Sequence, residues 1–233
     1  MSPLNLHSLM VVGTDTEVGK TLVSGALILK IRELGLRVAG FKPVVAGLTH
    51  GQNEDLIALQ LTLDPTDNIH FAEICPYLLS TPASPHISAK LESVDLELDV
   101  MLKSYQTLKE KVDVLIVEGA GGLLVPISDT ADLGDFAQQI GLDVILVVAM
   151  RLGCLNHALL TAESIRSRGL KIAGWVANTM AEEMPYFEEN LATLERRLSA
   201  PLLGVIPSLP SNLAKTPYVL EALTLTSQFL SLP

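Results

Sequence analysis

The stretch from Gly13 to Thr21, GTDTEVGKT, has the residue types and spacing of a loop that binds phosphate. It follows a short apolar run, Leu9 to Val12, and leads into a helical pattern that ends near Leu34. A buried strand, a glycine-containing turn and a helix that opens at Gly-Lys-Thr are typical of a P-loop. Backbone N–H groups of such a turn and the positive end of the helix dipole attract an anion. Lys20 can add a charge for the outer phosphates, and the Thr21 hydroxyl can bind a bridging Mg²⁺ ion.

The spacing departs from the general P-loop pattern by one residue. Four residues usually separate the two glycines, whereas the five residues from Thr14 to Val18 separate Gly13 from Gly19. The alternative is a glycine-containing turn that binds no ligand. Gly-Lys-Thr directly after a strand and at the start of a helix favours a phosphate site.

Apolar runs of strand length alternate with stretches of helical length along the whole chain. This alternation predicts a three-layer α/β fold with a mostly parallel central sheet covered on both faces. The 233 residues show no repeat, low-complexity tract or linker, so we expect one domain, residues 1–233. The predicted strands are 9–12, 37–41, 112–117, 144–150, 172–177 and 202–206; the predicted helices are 21–34, 54–61, 94–111, 132–140, 157–168 and 182–198; and 47–53 and 80–86 are predicted loops.

Polar or turn-forming residues follow the predicted strands. In an open parallel sheet, ligands bind beyond the carboxyl ends of the strands, so these residues are expected at one edge around the phosphate loop. The residues in question are Thr14, Lys42, Glu118, Arg151, Asn178 and Pro207.

Three charged residues near this edge each have a structural alternative. Glu118 could be a solvated charge at a strand end, but the glycine-rich residues 119–122 that follow allow close approach to a ligand and favour a magnesium site. Asp55 could equally be a metal ligand or an acid stabilised by the dipole of a helix start. Lys42 alone would be an ordinary exposed lysine, but its place before a proline at the phosphate edge suggests neutralisation of charge during phosphoryl transfer.

The composition restricts the possible classes of function. The formal net charge is −10 and no basic stripe occurs, which argues against nucleic acid or an anionic membrane as partner. Two cysteines, Cys75 and Cys154, are too few for a disulfide framework, which favours a reducing compartment. The first eight residues lack signal-peptide features, and no apolar run approaches the roughly 18–20 residues of a membrane span. We therefore expect a cytoplasmic protein without a membrane span.

Five segments together closely resemble the dethiobiotin synthetases of biotin biosynthesis, a family that shares the five-residue gap in the phosphate loop. The resemblance runs over nearly the whole chain and implies a P-loop NTPase-like fold. The segments are Gly13–Thr21, Phe41–Val44, Val117–Gly122, Leu152–His157 and Gly174–Asn178.

The resemblance implies a reaction and its participants. ATP, carbon dioxide and 7,8-diaminopelargonate would give dethiobiotin, ADP and phosphate through a carbamate and a carbamic–phosphoric anhydride, with Mg²⁺ as cofactor. It also implies a homodimer in which each chain contributes to its partner's site.

The resemblance implies site residues as well. Lys42 would be catalytic and would contact the substrate, together with Gly122 and, from the other subunit, Gly153 and Asn156. Thr21, Asp55 and Glu118 would surround the metal. The residues implied in binding ATP are Glu17, Val18, Gly19, Lys20, Thr21, Leu22, Asp55, Glu118, Gly119, Ala120, Gly121, Asn178, Thr179, Pro207, Ser208 and Leu209.

Two positions depart from the family's pattern. Ala46 stands where members often carry Ser or Thr, so a hydroxyl contact to substrate is missing. Ser211 stands near a position where some members place an acid that touches the base or sugar, which leaves discrimination among ATP, GTP and CTP open.

Three other classes of protein were considered as alternatives. Amidating enzymes of cobalamin synthesis carry a glutamine-hydrolysing domain, for which 233 residues leave no room. P-loop switch or partitioning ATPases, which act by binding partners, carry an extra lysine near the loop start, where this chain has Thr14 and Asp15. A GTPase would need an Asn-Lys-x-Asp motif, which residues 178–181 do not match.

Overall fold

Eight strands form two parallel sheets within residues 6–179 and 184–233, which this computed structural model describes. Six of them form the main sheet in the order β2-β5-β1-β6-β7-β8, and β3 pairs with β4. The strands are β1 (Leu9–Gly13), β2 (Val38–Phe41), β3 (Val44–Ala46), β4 (Tyr77–Leu79), β5 (Val114–Gly122), β6 (Asp143–Met150), β7 (Ile172–Thr179) and β8 (Leu202–Ile206).

The main sheet forms from apolar runs because both of its faces are covered. Every residue of β1 is buried, and so is every residue of β6 after Asp143. Near-continuous apolar strands of this kind are characteristic of parallel sheets between two layers of helices. The predicted mostly parallel sheet is confirmed.

The helices lie in a layer on each side of this sheet. The connection from β1 to β2 runs toward one edge, whereas those from β5 to β6, β6 to β7 and β7 to β8 run toward the other. Because such connections are right-handed, α1 covers one face, and α5, α6 and α7 cover the opposite face. α8 packs on α1, and α4 packs on α5. The helices are α1 (Lys20–Arg32), α2 (Glu54–Gln60), α3 (Pro85–Leu91), α4 (Leu98–Lys109), α5 (Leu133–Ile140), α6 (Cys154–Ser167), α7 (Phe187–Leu198) and α8 (Leu220–Ser227).

The region between β2 and α4 differs most from the prediction. The small β3–β4 sheet was not predicted, because strands of three residues are too short to show a period. The predicted loop 80–86 is wrong at its end, since α3 begins at Pro85. Proline is tolerated in the first turn of a helix, where its missing N–H would have no partner anyway.

Three predicted helices begin three or more residues away from their predicted starts. α6 begins at Cys154 rather than at residue 157, because Gly153 adopts φ +92° and turns the chain directly into the helix. α4 begins at Leu98 rather than 94, and the backbone N–H of Glu97 donates to the Tyr77 hydroxyl at 3.0 Å. α7 begins at Phe187, and the first two residues of its predicted range, 182–183, lie outside the described residues.

The C-terminal segment completes the fold at the edge strand β8. The Ser231 N–H donates to the Leu203 carbonyl at 2.7 Å, which covers part of an otherwise open sheet edge. A Cβ at Gly204 would lie 2.0 Å from the Phe229 carbonyl oxygen. α8 also packs closely on α1, where a Cβ at Gly25 would lie 2.8 Å from the Leu223 methyl groups. α8, which was not predicted, is therefore docked on the helix that follows the phosphate loop.

We expect Gly204→Ala to destabilise the protein far more than Gly25→Ala. At Gly204 the new methyl group meets a backbone carbonyl and the strand must shift, whereas at Gly25 only the end of a leucine side chain must move. Alanine also gains up to about 1 kcal/mol over glycine within a helix. Melting temperatures measured by calorimetry should fall by several degrees for Gly204→Ala and change little for Gly25→Ala. Equal losses would contradict this assignment of the C-terminal edge.

Candidate active site

The phosphate loop is held in place by contacts with β6, with Arg151 after β6 and within the loop itself. The Thr14 N–H donates to the Val147 carbonyl of β6 at 3.1 Å, and Gly19 adopts φ +92° to begin α1. The Lys20 ammonium donates to the Asp15 carbonyl at 3.0 Å, across the loop. The Asp15 carboxylate in turn accepts a hydrogen bond from Arg151, after β6, at 2.7 Å. The loop thus has a defined shape with its lysine folded over it.

Asn178, at the end of β7, supports the loop from below. Its side-chain N–H donates to the Val18 carbonyl at 2.9 Å. A Cβ at Gly19 would lie 2.3 Å from the same amide nitrogen, so only glycine fits between the loop and this side chain. The second glycine of the motif is therefore required by its positive φ and by the close approach of Asn178.

Four polar side chains from four elements meet beside the loop. Thr21 Oγ1 lies 2.7 Å from Asp55 Oδ1 and 2.8 Å from Glu118 Oε1. The Lys42 ammonium donates to Asp55 Oδ2 at 2.5 Å and to Glu118 Oε1 at 2.6 Å. We call these four residues, Thr21, Lys42, Asp55 and Glu118, the carboxylate cluster.

Two of the three charges in the cluster are almost entirely removed from water. The side chain of Glu118 is 0% exposed and that of Lys42 is 3% exposed, while Asp55 retains 35%. Burial alone would lower the pKa of Lys42, but Glu118 and Asp55 outweigh it, and this pKa is raised. Burial alone would raise the pKa of Asp55, but the charge of Lys42 and its hydrogen bond lower it below the usual value. Both groups are therefore charged at neutral pH.

The environment of Lys20 lowers its pKa, whereas that of Lys42 raises it. Burial, followed by the positive charge of Lys42, lowers the pKa of Lys20 to about 8. An anion bound in the loop would favour the charged form again, so phosphate binding should be accompanied by proton uptake near pH 8.

Local structure places the members of the cluster. Asn53 caps α2 by accepting hydrogen bonds from the N–H groups of Asp55 and Leu56, at 3.1 and 3.3 Å, so that Asp55 lies in the first turn. Asp55 therefore lies at a helix start, as one of its two alternatives had it, and its role as a metal ligand stays a prediction. Lys42 follows Phe41, whose ring packs against Tyr105 with centroids 6.0 Å apart, and the Lys42 N–H donates to the Ile74 carbonyl at 2.8 Å.

The donors of the cluster fit a magnesium ion. Its ligands in proteins are oxygens, and it usually keeps several waters and binds through one or two carboxylates plus substrate phosphates. Thr21, Asp55 and Glu118 supply a hydroxyl and two carboxylates next to the loop. Glu118 Oε2 is buried and has no hydrogen-bond partner among the described residues. A cation beside it would satisfy this oxygen.

A cleft of about 1140 Å³ opens over the loop and the cluster. It brings together many of the residues proposed from the sequence, including both lysines and both carboxylates. The proposed residues that line it are Glu17, Gly19, Lys20, Thr21, Lys42, Asp55, Glu118, Ala120 and Gly121, and Ala46 lines it as well.

The other proposed residues lie outside the cleft lining. Val18, Leu22 and Gly119 are buried, and Gly122 and Thr179 are half-buried. Glu118 does not end its strand as expected, because β5 continues through the glycines to Gly122, which pairs with Gly13. The remaining proposed residues follow β6 or β8 and are exposed or half-buried. They are Gly153, Asn156, Pro207, Ser208 and Leu209.

Sequence reasoning missed the wall of the cleft formed by residues 214–218. Tyr218 and Lys215 line it, just before α8. Burial, followed by the charges of Asp55 and Glu118, raises the pKa of Tyr218, so its hydroxyl remains a hydrogen-bond donor. No motif marks this segment; only the packing of α8 on α1 brings it to the loop.

Comparisons with known proteins agree with this geometry. A family model described as an AAA domain matches residues 7–216. The ATP-dependent dethiobiotin synthetase BioD of Ralstonia nicotianae is 46% identical over 204 residues, which cover 86% of this chain and 88% of the relative. The enzyme of the same name from Vibrio parahaemolyticus is 43% identical over 88% of this chain and 91% of its own. The chain belongs to the dethiobiotin synthetase family.

Solved structures of low sequence identity share the fold alone. The septum site-determining protein MinD of Pyrococcus horikoshii, solved with Mg-ADP, has a TM-score of 0.57 at 18% identity and covers 94% of this chain and 86% of its own. A ParA family ATPase of Chlorobium tepidum has a TM-score of 0.54 at 14% identity, with 95% and 91% covered. The predicted P-loop NTPase-like fold is thereby confirmed. None of the helices within the described residues is long and apolar enough to cross a membrane.

We expect Gly19→Ala to weaken nucleotide binding by at least about tenfold, because its methyl group must displace Asn178 from the loop. Gly35→Ala is a matched control. It carries the same backbone strain at φ +80°, but its Cβ would meet nothing within 4 Å, and it lies away from the loop. Isothermal titration with a non-hydrolysable ATP analogue measures the difference. A control variant that loses as much affinity would show that strain, not displacement of Asn178, is responsible.

Proposed function

We propose that this protein makes dethiobiotin from 7,8-diaminopelargonate, carbon dioxide and ATP, releasing ADP and phosphate. The observation that carries the proposal is the convergence in one cleft of a phosphate loop, a buried lysine and a pair of carboxylates. Membership of the dethiobiotin synthetase family supplies the substrates. The cleft has room for a nucleotide's phosphates and a small diamine side by side.

The first half of the reaction is phosphorylation of a carbamate. One amine of the substrate takes up carbon dioxide, and an oxygen of the resulting carbamate attacks the γ-phosphorus of ATP. The bond from that phosphorus to the β–γ bridging oxygen breaks, and ADP leaves. Lys20 and the loop N–H groups would bind the phosphates, and Lys42 would neutralise charge on the transferring group. The product is a carbamic–phosphoric anhydride.

The second half is ring closure. The other amine attacks the carbamoyl carbon, phosphate leaves with the oxygen it received, and the attacking nitrogen loses a proton. Phosphorylation has turned a poor leaving oxide into a good one. Because both amines belong to one bound molecule, the closing step is intramolecular and benefits from proximity. The cleft needs only to hold the chain of the substrate so that the second amine faces the anhydride.

Mg²⁺ would be held by Thr21, Asp55 and Glu118, in accordance with the oxygen donors and the unpartnered Glu118 oxygen described above. When bound, it would neutralise charge on the phosphates of ATP.

The adenine site remains a prediction. Asn178 already donates a hydrogen bond to the phosphate loop, so any contact with the base would come from the rest of its amide. Pro207, Ser208 and Leu209 follow β8 at the same edge of the sheet, as a base-binding segment would. We also retain a single domain and a cytoplasmic location. All six main-sheet strands, from residue 9 to 206, belong to one sheet, and both cysteines are free and buried.

A homodimer with shared sites is the further element of the proposal. Gly153 and Asn156 lie at the exposed start of α6, outside the cleft of their own chain. Leu152, beside them, is 96% exposed, and Leu160 on the same helix is 58% exposed. Apolar side chains exposed to this extent next to a proposed substrate contact are suited to a subunit interface.

The reaction is tested by asking whether the released phosphate carries an oxygen atom that came from bicarbonate. Phosphate release should require both the diamine and bicarbonate, and dethiobiotin should appear by mass spectrometry. With ¹⁸O-labelled bicarbonate, label should appear in the released phosphate, because a carbamate oxygen leaves with it. ATP hydrolysis that is equally fast without the diamine would indicate a switch-type ATPase. Label absent from the phosphate would contradict the anhydride.

The shared site is tested by mixing inactive subunits. If Lys20 of one chain and Asn156 of its partner serve one site, Lys20→Ala and Asn156→Ala should complement each other. Random pairing makes about half the dimers mixed, and each has one intact site, so about a quarter of wild-type activity should return. Lys20→Ala mixed with Asp55→Asn is the control, since both residues belong to one chain's cleft. Activity restored in neither mixture, after subunit exchange is confirmed, would mean that each chain builds its site alone.

A further inference from the structure

The Lys42 ammonium lies between two carboxylates that also contact the Thr21 hydroxyl. It is 2.5 Å from Asp55 Oδ2 and 2.6 Å from Glu118 Oε1, and the latter oxygen is also 2.8 Å from Thr21 Oγ1. These are the three residues whose donors fit a magnesium ion. A lysine therefore supplies the positive charge at the carboxylates in the protein without nucleotide.

Lys42 satisfies this position incompletely. The two carboxylates carry a charge of −2 and the ammonium +1, which leaves the carboxylate cluster at −1. The Thr21 hydroxyl has a single proton and can serve only one of the two carboxylate oxygens beside it. Glu118 Oε2 has no partner among the described residues, although it is buried. A divalent cation would neutralise the pair and could engage this oxygen.

We propose that Lys42 is an internal counter-ion of the metal site, and that a divalent cation takes its place between Asp55 and Glu118. The inference rests on the proposed function, in which ATP binds together with a magnesium ion. An ammonium and a divalent cation would repel each other strongly if both lay against the same carboxylate oxygens in a site shielded from water. Metal binding and the release of the Lys42 side chain are therefore one event.

The exchange gives Lys42 its position for catalysis. Its backbone cannot move far, because its N–H is bonded to the Ile74 carbonyl and Pro43 follows it. The side chain lines the cleft together with Lys20, so an ammonium displaced from the carboxylates turns toward the space above the phosphate loop. The protein thus delivers its second lysine to the reacting groups only when the metal is in place.

The exchange predicts that removing the ammonium creates a metal site that needs no nucleotide. We expect Lys42→Met, in the absence of any nucleotide or diamine, to bind Mn²⁺ at least about tenfold more tightly than the wild type, since the metal no longer competes with a bound charge. Free Mn²⁺ is measured by electron paramagnetic resonance. Millimolar Mg²⁺ should also raise the melting temperature of this variant by several degrees and change that of the wild type little. Lys42→Gln, which keeps an uncharged NH2 donor group, gives the same test if methionine is not tolerated.

Three controls separate this exchange from a general change of charge. Lys20→Met removes a lysine of the same cleft that is bonded to a backbone carbonyl and not to the carboxylates, so it should gain much less affinity than Lys42→Met. Lys42→Arg keeps a cation at the carboxylates and should gain none. Lys42→Met combined with Glu118→Gln should lose the gain. Folded Lys42→Met and Lys42→Gln proteins with wild-type Mn²⁺ affinity would overturn the proposal, as would a gain that survives Glu118→Gln. The measurement uses no substrate, so its failure would leave the proposed reaction standing.

Discussion

The compensation of one buried carboxylate is the constraint on which this site depends. Glu118 is fully buried at the middle of the sheet, where a lone charge would cost several kcal/mol. Lys42 and the Thr21 hydroxyl offset that cost, and Asp55 completes the network from the start of α2. Breaking a buried pair by removing one partner typically costs about 3–5 kcal/mol. Loss of one partner alone would therefore destabilise the protein, even though the pair as a whole need not add stability.

The order of the strands explains why these groups meet. β5 lies between β1 and β2, so the residue leaving β2, the acid on β5 and the loop after β1 are neighbours at one edge, although they are far apart in sequence. Asn178 is brought to the loop from the other side, through β6 and β7. Because sheet order and parallel direction fix these relations, chemistry at the carboxyl edge follows from the topology.

The sequence was sufficient for what depends on local pattern. The strand runs, the phosphate loop and its lysine, and the placement of Lys42 and Glu118 at one edge follow from periodicity and from the rule on strand ends. Asp55 was linked to them only by the family resemblance. What it could not supply depends on tertiary packing. The β3–β4 sheet is too short to be periodic, α8 exists because it packs on α1, and Tyr218 reaches the cleft only through that packing. The pairing of Lys42 with both Asp55 and Glu118 could be recognised only from the side-chain distances in the structure.

Likeness of fold does not distinguish a ligase from a molecular switch here. MinD and ParA proteins share the sheet and the loop at 13–18% identity, which shows architecture only. The difference must lie in what accompanies the loop. At the loop start this chain has Thr14 and Asp15, and the Asp15 carboxylate accepts a hydrogen bond from Arg151. Its second lysine is Lys42, at the end of β2, and points at the carboxylates rather than at a partner surface. A lysine held inside the cleft is placed to meet a small substrate, in agreement with the dethiobiotin synthetase relatives, whereas the fold alone does not separate synthesis from signalling.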